Sequence, residues 1–76
     1  MATLPIISGR KCIETLAKAG FYEVRRESSH IYIRRDNPLV QISIPDHAEL
    51  ARGTLKAILR QAGLSNDEFT ELIRRK

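Results

Sequence analysis

Apolar residues near the start of the chain recur at helical spacing. Cys12, Ile13, Leu16 and Ala17 follow Ser8, which can cap a helix beginning around Gly9, and Gly20 supplies a stop. The period then changes from helical to alternating. Phe21 to Arg26 predicts a short strand with Val24 as its clearest inward residue, between Glu23 and Arg25. A turn at Glu27-Ser28 leads to a second strand, in which Ile31 and Ile33 share one face while His30, Tyr32 and Arg34 share the other. Asp36-Asn37-Pro38 marks a further turn. Val40, Ile42 and Ile44 then alternate with Gln41 and Ser43 until Pro45 ends the strand. Beyond the loop Pro45 to Glu49, Gly53-Thr54-Leu55 opens a helix whose stripe is Leu55, Ile58, Leu59 and Ala62, closed by Gly63. Ser65 and Glu68 have the spacing of a capping box for a last helix, whose buried face is Phe69, Leu72 and Ile73.

The order α-β-β-β-α-α predicts an α+β fold, with helices packed on the apolar face of one three-stranded antiparallel sheet and the other face left wet. A two-residue turn at Glu27-Ser28 sets Val24 opposite Ile31 on the core face and Arg25 opposite His30 on the open one. A two-residue turn at Asp36-Asn37 likewise sets Ser43 beside His30 and Gln41 beside Tyr32. A four-residue turn there would preserve the facing and change the neighbours. The expected open-face patch is Arg25, His30, Tyr32, Arg34 and Ser43, with Glu23 limiting its positive charge.

Composition narrows the classes. Seventy-six residues suit one domain spanning 1–76, and 42% hydrophobic with 29% charged residues describes a folded chain rather than a disordered one. The formal charge of +4 and a pI near 9.7 favour an acidic partner, either nucleic acid or an anionic protein face. Cys12 is the only cysteine, which excludes an intrachain disulfide and a thiolate zinc cluster, and reads as a small core residue. A reducing cytoplasm is expected, since no apolar run approaches the ~20 residues of a membrane span and MATLPIISGRK does not resemble a secretion leader.

Cleaving RNA without a metal requires a base for the 2′-hydroxyl, charge stabilisation at phosphorus and an acid for the leaving oxygen. Histidine can serve either proton step, and arginine offers paired donors to phosphate oxygens. His30 with Arg25 and Arg34 meets those needs on one face, and Tyr32 offers a stacking surface for an unpaired base. The plainer reading makes His30 and Tyr32 ordinary wet-face residues and the arginines solubilising charges. His47 is a candidate second acid or base, with turn chemistry after Pro45-Asp46 as its plainer reading. Arg74-Arg75-Lys76 complement the negative end of the last helix, and Lys56 with Arg60 forms a solvated basic face. No Gly-rich phosphate loop, paired-carboxylate set or zinc-spaced histidine pair is present in the sequence.

LPIISGRKCIETLAKAGF, RRESSHIYI and ISIPDHAELARGTLKAILRQAGLSNDEF together resemble the HicA, or YcfA-like, family of bacterial toxins over nearly the whole chain. The most specific parts are Ser29-His30, Ile44 to His47, and Gly53 to Gly63. The resemblance implies a fold similar to the double-stranded RNA-binding domain with an additional C-terminal helix, and a small endoribonuclease toxin that cuts messenger RNA. It implies catalysis by His30, no cofactor, and a HicB-type antitoxin that occludes that histidine. Arg25, Ser29, Arg34 and Tyr32 are the expected RNA-binding residues. Ser28 stands where the family usually has glycine, and serine takes a positive φ less readily. Asp46 stands where a basic residue is common. A non-catalytic RNA-binding domain and a basic protein-interaction module are the competing expectations.

Overall fold

The computed structural model describes residues 4–75. Its elements are α1 (Gly9–Ala17), β1 (Tyr22–Glu27), β2 (His30–Asp36), β3 (Leu39–Pro45), α2 (Arg52–Ala62) and α3 (Asn66–Arg74). The expected α+β order therefore holds, with one antiparallel sheet in the order β1-β2-β3. Lys76, and residues 1–3 of the expected 1–76 domain, lie outside the described residues.

Local sequence explains the helices. Ser8 accepts a hydrogen bond from the Lys11 amide at the start of α1, and Ser65 with Glu68 forms the reciprocal capping box of α3. Gly63 takes the left-handed conformation at φ 76 just after α2. The apolar stripes converge on one core, in which Cys12, Leu16, Ile31, Ile33, Ile42, Ile44, Leu55, Leu59 and Phe69 are almost wholly buried. In α1 the fourth core position belongs to Thr15 rather than Ala17, which is exposed. Thr15 tolerates burial because its hydroxyl donates to the Lys11 carbonyl one turn back, at 2.8 Å.

Both hairpins turn one residue later than expected. Ser28-Ser29 closes the first, with Glu27 opposite His30, and Asn37-Pro38 closes the second, with Asp36 opposite Leu39. A one-residue shift of a turn moves each pairing by two positions, so the shift by itself leaves each residue on its face and changes only its neighbour. Ile31 pairs with Ile44 and Ile33 with Ile42, all four buried, which locks the register between β2 and β3.

The sequence pattern fails in β1. Val24 is 40% exposed and unpaired, because the register slips between Glu23 and Arg25. This bulge inserts one residue and reverses the alternation on its N-terminal side. Glu23 leaves the open face and reaches Arg10 of α1 at 3.5 Å, whereas Tyr22 arrives opposite Arg34 on the open face. The inward role expected of Val24 is taken by Phe21, 4% exposed, just before the strand begins.

Two close approaches hold α1 in place, one against the end of β3 and one against α3. A Cβ on Gly9 would sit 2.1 Å from the Pro45 carbonyl oxygen, so only glycine lets α1 start against the end of β3. The Gly9 amide donates to the His47 carbonyl at 2.9 Å and fixes the loop that follows β3. At the opposite end, the Lys18 ammonium donates to the carbonyls of Leu72 and Arg75, satisfying the C-terminus of α3 from a separate helix.

Candidate active site on the open sheet face

Strand pairing arranges the open face in three rows. Glu27, His30 and Pro45 make the row beside the first turn; Arg25, Tyr32 and Ser43 make the next; Tyr22, Arg34 and Gln41 make the third. His30 is exposed and begins the central strand, with Tyr32 and Arg34 following on the same side. The expected His30, Tyr32 and Arg34 alignment is thus present.

The neighbours of His30 differ from those expected. Arg25 lies opposite Tyr32 rather than His30, Ser43 also lies beside Tyr32, and Gln41 lies beside Arg34. Glu27 takes the position opposite His30. Direct cross-strand partners on one face have Cβ atoms about 4.5–5.5 Å apart, close enough for a carboxylate and an imidazole to act on one substrate. Glu27 escaped the sequence reading because Glu27-Ser28 had the composition of a turn, whereas the chain turns one residue later.

The turn itself carries backbone strain. Ser28 has φ 56, the only non-glycine residue at positive φ among the described residues. The left-handed geometry that a glycine would supply is kept by serine, so the departure from Gly-Ser-His leaves the hairpin shape intact. Ser29, adjacent to His30, is exposed, and its carbonyl accepts from the Asp46 amide at 2.7 Å. Asp46 also binds Arg26 at 2.6 Å. Its amide thus anchors the turn, and its carboxylate is spent on tying β1 to the loop after β3. His47 is exposed in that loop, where its carbonyl serves the Gly9 amide.

The two arginine pairs split as alternation requires. The Arg25 guanidinium lies 4.4 Å from the Tyr32 ring centroid on the open face, whereas Arg26 turns to Asp46. Arg34 points to the open face, whereas Arg35 stacks 4.8 Å from the Phe21 ring, its Nε buried without a hydrogen-bond partner. Both open-face arginines also have a carboxylate, Arg25 with Glu27 at 3.2 Å and Arg34 with Asp36 at 2.9 Å. The patch therefore balances two cations with two anions, and the net positive charge of the chain lies elsewhere. Lys56 and Arg60, for example, are exposed on α2 behind the sheet.

Asp36 is the second feature the sequence hid. It accepts from the Tyr22 hydroxyl at 2.7 Å as well as from Arg34 Nε. The Tyr22 hydrogen bond, followed by that of Arg34, holds the Asp36 carboxyl below the usual range. The same bond raises the Tyr22 phenol above its ordinary value, since the carboxylate favours the protonated hydroxyl. Among the described residues no group of three or more His, Cys, Asp and Glu is placed to hold a metal ion. No helix among them is long and apolar enough to cross a membrane.

The helix, the three strands with Ser29-His30 at their first turn, and the Gly53 to Gly63 helix fall within one family match. The description "HicA toxin of bacterial toxin-antitoxin" fits residues 9–64. The chain belongs to the HicA toxin family. Membership makes it the toxin half of a toxin-antitoxin system and implies a cognate antitoxin. The match spans every residue of the three open-face rows. A search of curated proteins gives no match.

Proposed function

We propose that this HicA-family protein is an endoribonuclease that cuts messenger RNA at the open sheet face without a metal. The observation that carries the reading is His30 exposed on the central strand, opposite Glu27 and one row from Arg25 and Tyr32. An ionised carboxylate can only accept, so Glu27 takes the base role and His30 the acid role. Glu27 removes the 2′-hydroxyl proton, and the 2′-oxygen bonds to phosphorus. The bond from phosphorus to the 5′-oxygen breaks, and His30 protonates that oxygen. The products are a 2′,3′-cyclic phosphate and a free 5′-hydroxyl.

Arg25, one row from His30, stabilises charge on the scissile phosphate, the Ser29 hydroxyl orients it, and Arg34, two rows away, holds a phosphate farther along the strand. A substrate phosphate competes with Glu27 for Arg25, and loss of that ion pair frees the carboxylate to act as base. The antitoxin, of HicB type, silences the toxin by covering the same face.

Expression of the intact chain and of His30→Ala in bacteria, with growth and messenger RNA integrity followed together, tests the reading. The intact chain is expected to arrest growth and fragment messenger RNA, His30→Ala to do neither, and a co-expressed HicB-type antitoxin to restore growth. Equal RNA loss from both variants overturns the assignment of His30. Growth arrest with intact RNA overturns ribonuclease action.

A further inference from the structure

We propose that Tyr22, Arg34 and Asp36 form a nucleotide subsite, and that the substrate is an unpaired RNA strand lying along β2 from His30 past Tyr32 to Tyr22. The inference rests on the ribonuclease reading and specifies the form of RNA taken. It begins with the bulge at Val24, which turns Tyr22 onto the open face opposite Arg34.

The subsite is built rather than merely exposed. The Tyr22 ring, 45% exposed, is tethered at its tip by the hydrogen bond to Asp36, and the same carboxylate holds Arg34 through Nε. A tethered ring is a preorganised stacking surface. Arg34 engages Asp36 through Nε alone, which leaves its two terminal amino groups to a phosphate oxygen. One row nearer His30, the Tyr32 ring is covered by Arg25 at 4.4 Å, and the guanidinium plane offers its outer side to a second base. From His30 to Arg34 is four residues of strand, about 13 Å, a span of a few nucleotides.

Charge decides between unpaired and duplex RNA. Duplex recognition by shape relies on many phosphate contacts, and its affinity grows with the number of phosphates neutralised. Here Arg25 and Arg34 are offset by Glu27 and Asp36, so the face supplies little net attraction for two phosphate backbones. Stacking on aromatic and guanidinium planes requires bases free of a helix and supplies affinity that does not come from phosphate neutralisation.

Binding is measured on His30→Ala, which separates it from turnover, with a labelled single-stranded RNA octamer, its duplex and a dinucleotide. The octamer is expected to bind at least tenfold tighter than the duplex. Tyr22→Ala is expected to weaken the octamer about tenfold and leave the dinucleotide unchanged. Tyr22→Phe, which keeps the ring, should stay within about threefold of the parent. Tighter duplex binding, or an octamer affinity indifferent to Tyr22→Ala in a protein with an unaltered circular dichroism spectrum, overturns the subsite. Where Tyr22→Ala does not fold, Tyr22→Leu, which removes the aromatic plane and keeps an apolar side chain, takes its place with the same tenfold loss expected and an unchanged octamer affinity overturning the subsite. Tyr22-dependent binding without cleavage by the intact chain would retain the subsite and remove the ribonuclease. Cleavage whose KM ignores Tyr22 would do the reverse.

Discussion

Ser28 shows how one residue departs from a family pattern without changing the shape it serves. Its φ of 56 costs an L-residue about 1–2 kcal/mol relative to glycine. Ser28→Gly is therefore expected to stabilise the fold by about 1 kcal/mol, less any loss from the added freedom of the unfolded chain. For a domain of this size a gain of that amount is a rise in Tm of up to roughly 4–8 °C by thermal unfolding; a Tm lowered by as much as the added freedom of glycine alone would cost would mean that the turn bears no strain. Tyr22 and Asp36 make a second residue-scale prediction. The raised Tyr22 phenol keeps its proton in the fold, so its contribution is present below the ordinary value of 10.0 and lost as pH rises through the folded value. The lowered Asp36 carboxyl contributes above its ordinary 3.8 and ceases to as pH falls through its folded value. In a Tyr32→Phe background, phenolate absorbance should titrate above 10.0 and return toward it in Asp36→Asn. Cys12 is pushed up to about 12 by burial. It should react with a thiol reagent only as fast as the protein opens, and alkaline pH above its ordinary 9.0 should favour unfolding as the exposed thiol ionises.

At the scale of elements, legibility follows the range of the interaction that decides each one. The capping box at Ser65 and the stripes of α2 and α3 are set within one or two turns of chain, and the sequence reads them directly. The facing of His30, Tyr32 and Arg34 is equally legible, because the buried Ile31 and Ile33 permit no other parity. The neighbours of His30 are not. Moving each turn by one residue preserves parity and substitutes Glu27 for Arg25, a choice that local composition does not resolve. The bulge at Val24 is less visible still, since it arises where Phe21 fills the core, Glu23 meets Arg10 and Tyr22 meets Asp36, all contacts distant in sequence. Gly9 belongs to the same class of long-range constraint. Gly9→Ala should destabilise the fold by about 1–3 kcal/mol in denaturant unfolding, because its Cβ meets the backbone carbonyl of Pro45 rather than a side chain able to swing away. A stability equal to that of the parent would show that the start of α1 can move off the β3 end.

For the whole molecule, the separation of two faces organises function. Helices cover one side of the sheet and leave the other to His30, Glu27 and the two tyrosine and arginine rows. The overall charge of +4 suggested an acidic partner, yet the arginines of the open face are matched by carboxylates. In the proposed reaction, excess charge elsewhere would draw RNA to the protein, while stacking and the juxtaposition of His30 with Glu27 would select and process it. Family membership establishes the toxin; the chemistry proposed for it turns on a single exposed imidazole. The most direct measurement is the cleavage rate of a single-stranded RNA by the purified protein and by His30→Ala, both in excess chelator. The intact protein should cleave at an undiminished rate, and His30→Ala should be slower by about 10²–10⁴-fold. Equal rates for the two proteins, or loss of the intact protein's activity in chelator, would contradict metal-independent catalysis by His30.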